Sequence, residues 1–458
     1  MRYTPSGPDE QLELLSEIGV ETFDDLLEGV PSNLRMDAPI PLPEGISEME
    51  VLNEINALAA KNRGSADLTG FAGGGAYDHF IPSAIDSLIS RSEFTTAYTP
   101  YQSEVSQGTL QVIYEFQSLV AELMGMDVAN ASLYDGAHAV AEAMLLAHAS
   151  RNVDTILVSA GLNPHFMKVL ETYAAGLPIE LKIIPLSSDG RTDAAALKEA
   201  LVDPVAGFIL AQPNFHGCLE DAAGLTEIVK ASGAKKPPLV IGSVYPMSLG
   251  LISPPGEWGA DVATAEGQSL GLPLSLGGPY LGLFACSDEY LRRQPGRIIG
   301  RTLDRDGRDS YVLTLQTREQ HIRRQKATSN ICTNQGLCAA WSTVYMTLLG
   351  PGGLREVAHQ CSRKAAWLAG LLQEIPGVEL TFPDTPFFNE FTLSLPVDVS
   401  GILRRLADRG WLGGIDLRRF GEDLPGDLLV AVTERRSREE IDAFASEFAD
   451  AVTGGTGR

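Results

Sequence analysis

Short apolar runs punctuate the middle of this chain: TILVS at 155–159, LKIIP at 181–185, AGFILA at 206–211, LVIG at 239–242 and VATA at 262–265. Each is too short for a stable helix, and none alternates strictly between apolar and polar residues. Strands of that kind are buried on both faces, as in a parallel sheet covered by helices. Helical patterns separate the runs, so the spacing predicts an α/β domain with a mostly parallel, doubly covered sheet. YLGLFAC at 280–286 reads as one more strand. Open sheets of this class hold ligands just beyond the carboxyl ends of their strands. That points to the stretch 261–279, where the run ending at Ala265 is followed by Glu266, Gly267, Gln268 and Ser269. A Gly/Pro/Ser/Leu segment then leads to Gly277, Gly278 and Pro279.

The flanks have a different character. Residues 1–62 read as an arm of short capped helices. Leu12, Leu15 and Ile18 lie at helical spacing before Gly19, Thr22 can cap a second helix carrying Phe23, Leu26 and Leu27, and Ser47 with Glu50 forms a capping box. A proline-rich linker, 39–43, interrupts the arm. The main domain is predicted over 63–340. It includes loops at 71–82 and 98–102, a long helix carrying Ile113, Phe116, Val120 and Leu123, and a helix opened by Tyr134, Asp135 and Gly136. From 341 to 458 the order becomes a helix broken near 350–353, four short strands, and a last helix capped by Ser437 and Glu440. That order predicts a small α+β domain with an antiparallel sheet.

With 458 residues, 44% of them hydrophobic, the chain is long enough for these parts. Its 59 acidic and 35 basic residues leave a net charge of −24, which argues against nucleic-acid or anionic-membrane partners. Five cysteines without CxxC spacing fit reduced thiols. The start lacks a signal-peptide pattern and no apolar run is long enough to span a bilayer, so a cytoplasmic location is expected. The seven histidines show no HExxH or paired-cysteine spacing, and no metal site is expected. Gly73, Gly74 and Gly75 are either a phosphate cradle or a flexible turn.

Four longer motifs are more specific: YTPYQSEVSQGTLQVIYEFQ at 98–117, QPNFHGCLED at 212–221, EGQSLGLPLSLGGPYLG at 266–282 and LTLQTREQHIRRQKATSNICTNQ at 313–335. Together they closely resemble the glycine decarboxylase P-protein family of the glycine cleavage system, in its split form, and within it the α chain. The resemblance covers nearly the whole chain. It implies the aminotransferase-like fold of pyridoxal-phosphate enzymes (fold type I). It also implies a complex in which an α and a β chain together remove carbon dioxide from glycine and pass the aminomethyl group to the lipoyl arm of H-protein. The β chain is the one that carries the cofactor lysine.

Counted back from Gly278 and Pro279, that lysine position falls here on Gln268, which has no amine to condense with an aldehyde. The strand 239–244 also lacks the acid that would face a pyridine nitrogen. Lys168, Lys182 and Lys326 lie in a predicted helix, a predicted strand and a distant basic loop. The expectation is therefore a chain with no catalytic residue of its own and no covalent cofactor, the pyridoxal phosphate being bound by the β chain. Asp135 stands where the fold cups a phosphate and reads as a helix cap. Tyr98, Tyr101 and Gln102, with the basic cluster Arg323, Arg324, Lys326, Thr328 and Asn330, are the candidates for an interface or shared site. The cluster either holds an anion or pairs with acids of the same chain. Two other functions stay open: a free-standing pyridoxal-phosphate enzyme with an unrecognised lysine, and a non-catalytic scaffold.

Overall fold

The structure, a computed structural model, describes residues 6–36, 41–64, 67–275, 277–421 and 426–454. The predicted linker 39–43 begins outside them. The chain divides into two compact units, Met1–Arg63 and Gly64–Arg458.

In the first unit, the helix Pro8–Ile18 stops at Gly19, whose left-handed φ of 84° suits a residue without a Cβ. The helix Glu48–Ala59 starts in the expected capping box between Ser47 and Glu50.

The second unit is built on a seven-stranded sheet: β1 (Val128–Ala129), β2 (Thr155–Ser159), β3 (Glu180–Ile184), β4 (Gly207–Gln212), β5 (Leu239–Val244), β6 (Val262–Glu266) and β7 (Gly282–Cys286). Their order across the sheet is β1-β7-β6-β5-β4-β2-β3. All neighbours are parallel except β7, which runs antiparallel to both β6 and β1. Successive residues of the central strands enter two different cores. Ile156, Val158, Ile209 and Ile241 pack with Val140, Ala143 and Met144 of the helix Gly136–Arg151. Leu157, Phe208, Leu210 and Val240 pack on the other face with Phe116, Val120 and Met124 of the helix Gln107–Met124. Each such side chain contributes about 1.5–3 kcal/mol by leaving water. Burial of both faces is why the runs of β2, β4, β5 and β6 carry no polar alternation; β3, predicted to be doubly covered, lies at the sheet edge and is mostly exposed.

A second, four-stranded sheet has the order Glu379–Leu380, Glu390–Ser394, Leu428–Ala431, Ile415–Asp416, antiparallel throughout. Phe391, Leu393 and Val430 face Ile441, Phe444 and Phe448 of the final helix Arg438–Thr453, which begins in the Ser437–Glu440 capping box. The long helical stretch Gly336–Gln373 is interrupted at Gly350 (φ 59°, ψ −178°), just before Pro351. Proline cannot donate to the preceding turn, so the break falls where the sequence placed it. Several elements were not anticipated, among them the short edge strand β1 and the two that follow. The antiparallel pair Ile298–Leu303 and Asp309–Thr314 is only partly buried and rich in charge. The helix Val399–Asp408, capped by Asp398, is short and follows a proline.

Candidate functional site

Strand β6 ends on Glu266, and a tight turn, Gly267–Ser269, carries Gln268. Gln268 is only 1% exposed. Its Oε1 accepts from the Tyr77 backbone N–H at 2.9 Å, and its Nε2 donates to the carbonyls of Tyr77 (3.1 Å) and Leu272 (2.8 Å). An amide is needed for this pattern, because an ammonium group donates but cannot accept. The Gln268 side chain thus clamps the 71–82 loop onto the turn after β6.

Glu266 is equally committed. Its Oε2 accepts from Gly136 N at 2.8 Å, at the start of the helix Gly136–Arg151. Its Oε1 accepts from Gln268 N and Leu281 N, both at 3.0 Å. Burial pushes its carboxyl up to about 8, against the pull of these backbone donors. A helix N-terminus attracts anions, and here the Glu266 carboxyl group already occupies its Gly136 N–H. Asp135 caps the helix by accepting from His138 N at 2.8 Å, as expected. Across the cavity Glu390 accepts from Gly74 N at 2.7 Å and from the Tyr77 hydroxyl at 2.8 Å. Burial raises its carboxyl to about 7, again against those bonds. A Cβ on Gly73 would lie 2.3 Å from Glu390 Oε1, and one on Gly75 2.7 Å from Asn163 Nδ2. The triple glycine is therefore a packed turn whose space is filled by side chains, not a cradle open to phosphate.

What remains is a cavity of about 70 Å³ at the carboxyl ends of β4, β5 and β6, bounded by Tyr77, Asn163, Asn214, Ser243, Tyr245 and Glu390. Its lining includes the buried Glu390 and the part-buried Glu266, and among the described residues no lysine or arginine. Lys168 lies on the helix Pro164–Ala174, Lys182 within β3, and Lys326 on an exposed turn; none lines the cavity. Pyridoxal phosphate does not fit these residues. The helix N-terminus is taken, no amine is present, β5 ends in Ser243 and Val244 without an acid, and nothing offsets a phosphate charge beside two carboxyl groups.

Behind Tyr77 the fold assembles a buried network that no sequence spacing announced. His79 Nδ1 meets Glu434 Oε2 at 2.6 Å, its Nε2 meets the Tyr245 hydroxyl, and Cys361 Sγ donates to Glu434 Oε2 at 3.5 Å. Burial would raise the Glu434 carboxyl, but the His79 and Phe80 donors outweigh it and hold the group below its ordinary range. His79, Cys361 and Glu434 form a possible ligand set by proximity. The 2.6 Å contact is nevertheless a hydrogen bond, since two ligands at zinc distances in a tetrahedron stand about 3.3 Å apart. The group ties the 71–82 loop to the C-terminal sheet region.

The loop candidates lie on the surface. Tyr98 is 86% and Tyr101 53% exposed, and Gln102 is exposed beside them. Tyr98 and Thr99 border a separate cavity of about 170 Å³ with Ile113, Asn334 and Leu337. Arg323, Arg324, Lys326, Thr328 and Asn330 are exposed, and none of the three cations forms an ion pair with an acid among the described residues. Arg323 Nε instead donates to Thr317 O at 3.1 Å, and Thr328 N to Arg318 O at 3.1 Å. Pairing within the chain, one of the two alternatives for this cluster, is not what the fold uses. The two loops meet through Arg297, which sequence reasoning passed over because a single arginine after a Pro-Gly turn carries no pattern.

The sheet order, the lone antiparallel β7 and the cavity at the ends of β4–β6 define the fold of the type I pyridoxal-phosphate transferases. The same fold is seen in the cystine C–S lyase C-DES, solved in a mutant form with glycine covalently linked to its pyridoxal-phosphate cofactor. That structure matches with a TM-score of 0.63 at 16% identity, over 84% of this chain and 97% of that one. The sequence matches the glycine cleavage system P-protein family over residues 1–448, and the chain belongs to that family. A probable glycine dehydrogenase (decarboxylating) subunit 1 from Chloroherpeton thalassium is 48% identical over 444 residues, 97% of this chain and 98% of that protein. A crystal structure of the glycine decarboxylase P-protein, in inhibitor-bound form, superposes with a TM-score of 0.87 at 41% identity, covering 98% of this chain and 100% of the other. Among the described residues no helix is long and apolar enough to cross a membrane.

Proposed function

We propose that this chain is the α subunit of a two-chain glycine decarboxylase, inactive by itself, and that a β chain binds the pyridoxal phosphate. When bound there, the cofactor acts as the electron sink that lets glycine lose carbon dioxide, and the aminomethyl group passes to the lipoyl arm of H-protein. The observation that carries the proposal is the Glu266–Gln268 arrangement: a carboxyl group on the helix N-terminus and an amide clamp at the lysine position. These contacts keep the enzyme fold intact while closing its own site. A cytoplasmic location is part of the same proposal.

The chain then contributes surface. Tyr98, Tyr101 and Gln102 offer exposed rings and polar atoms, while Arg323, Arg324, Lys326, Thr328 and Asn330 offer small donors and cations that engage no acid among the described residues. Aromatic residues and arginine are preferred at protein interfaces. The β chain is expected to cover both loops and to use the free cations for an anionic group in a shared site. Co-purification with the β chain and a glycine–bicarbonate exchange assay test this. Arg323→Ala and Tyr101→Ala should weaken assembly or exchange while leaving the isolated chain folded. Wild-type assembly and exchange in both variants would remove the loops from the function.

A further inference from the structure

Arg297 stands at the foot of the strand Ile298–Leu303 and is 3% exposed. Its Nε pairs with Glu319 Oε2 at 3.3 Å, just before the basic loop. Its two terminal nitrogens donate to the other loop, to Thr99 Oγ1 at 3.4 Å and to the Tyr101 hydroxyl at 3.2 Å. The guanidinium carbon also lies 5.3 Å from the centre of the Tyr101 ring. His321 closes the arrangement, its ring edge-on to Tyr101 at 5.7 Å and its Nδ1 3.6 Å from Glu319 Oε2.

A planar group with several donors in fixed directions can hold two segments in register, which a flexible point charge cannot. The side chains that both segments present are otherwise in the solvent: Tyr98 is 86% exposed, and Gln102 and the three cations are exposed. We propose that Arg297 is a positioning residue that joins the 98–102 and 319–330 segments into one preformed surface. This rests on the reading that those segments receive the β chain. Rigid presentation lowers the ordering cost of association, so loosening Arg297 weakens binding without removing any contacting residue.

Hydrogen–deuterium exchange on the isolated full-length chain tests this apart from the partner. In Arg297→Met, amides in both 97–106 and 316–330 should lose about tenfold or more of their protection, while β4–β6 keep theirs. Arg297→Lys retains a cation for Glu319 but cannot also span Thr99 and Tyr101. It should therefore loosen 97–106 and spare 316–330, and Tyr101→Phe should do the same more mildly. A purely local packing role would not give that selective split. If Arg297→Met unfolds the sheet, the lysine variant decides. Parent-like protection of 97–106 in Arg297→Lys, or loss confined to 316–330 in Arg297→Met, overturns the proposal. Titration of the variants against the β chain separates the two ideas. Joint loosening with unchanged affinity keeps Arg297 as the organiser and sinks the docking role of the loops, whereas joint loosening with affinity down about tenfold supports both.

Discussion

Gln268→Ala is the perturbation that bears hardest on the closed site. It deletes the acceptor for Tyr77 N and the donors to the carbonyls of Tyr77 and Leu272. Each orphaned buried group costs about 1–3 kcal/mol, partly relieved if water enters the space the side chain leaves. The expected loss is roughly 3–5 kcal/mol, a large share of the roughly 5–15 kcal/mol that holds a domain together. Gln268→Lys should be no better. It leaves Tyr77 N unpaired and buries an ammonium whose desolvation costs several kcal/mol. Urea unfolding followed by circular dichroism measures the loss as a shifted midpoint at constant slope. The lysine variant is then incubated with pyridoxal phosphate and reduced with borohydride. No adduct should form, because Glu266 still holds the Gly136 N–H. An alanine variant within about 0.5 kcal/mol of the parent, the range of ordinary surface changes, would refute the clamp. A pyridoxyl adduct on the introduced lysine would refute the claim that the phosphate position is taken.

Other consequences are independent of that one. Burial raises the Glu390 carboxyl from 4.5 to about 7, so the folded chain keeps this proton over a window in which the unfolded chain has released it. Stability should therefore fall as pH rises from about 4.5 to about 7, by about 3 kcal/mol from this group, and Glu390→Gln should flatten that part of the profile. Cys332 is the exposed thiol, while Cys218, Cys286, Cys338 and Cys361 are buried. A thiol reagent should titrate one group quickly in the native chain and all five after denaturation; two or more fast thiols would contradict the packing. Gly73→Ala places a Cβ 2.3 Å from Glu390 Oε1 and should destabilise the second unit by about 1–3 kcal/mol, measured by the same urea series.

The parallel sheet was legible because burial on both faces leaves an apolar run in β2, β4, β5 and β6, and all five parallel strands fall within a residue or two of their predicted places, although β3, at the edge, is mostly exposed. The capping boxes at Ser47 and Ser437 and the break at Gly350 were legible because each rests on local chemistry. The family motif drew attention to Gln268, but its three hydrogen bonds could not be read from the sequence, since Tyr77 is 191 positions away. Glu390 and Glu434 were hidden for the same reason: one acid among 59 acquires meaning only when Gly74 or His79 is folded against it. Arg297 illustrates the limit best, because its partners come from two separate stretches, around residues 99–101 and 319.

The most direct measurement maps the cofactor in the assembled enzyme. This chain and the β chain are combined with pyridoxal phosphate, assayed for glycine–bicarbonate exchange, reduced with borohydride, digested and analysed by mass spectrometry. The expected result is exchange only when both chains are present, with the pyridoxyl group wholly on a β-chain lysine. A pyridoxyl-modified lysine in this chain, or exchange by this chain alone, would contradict it.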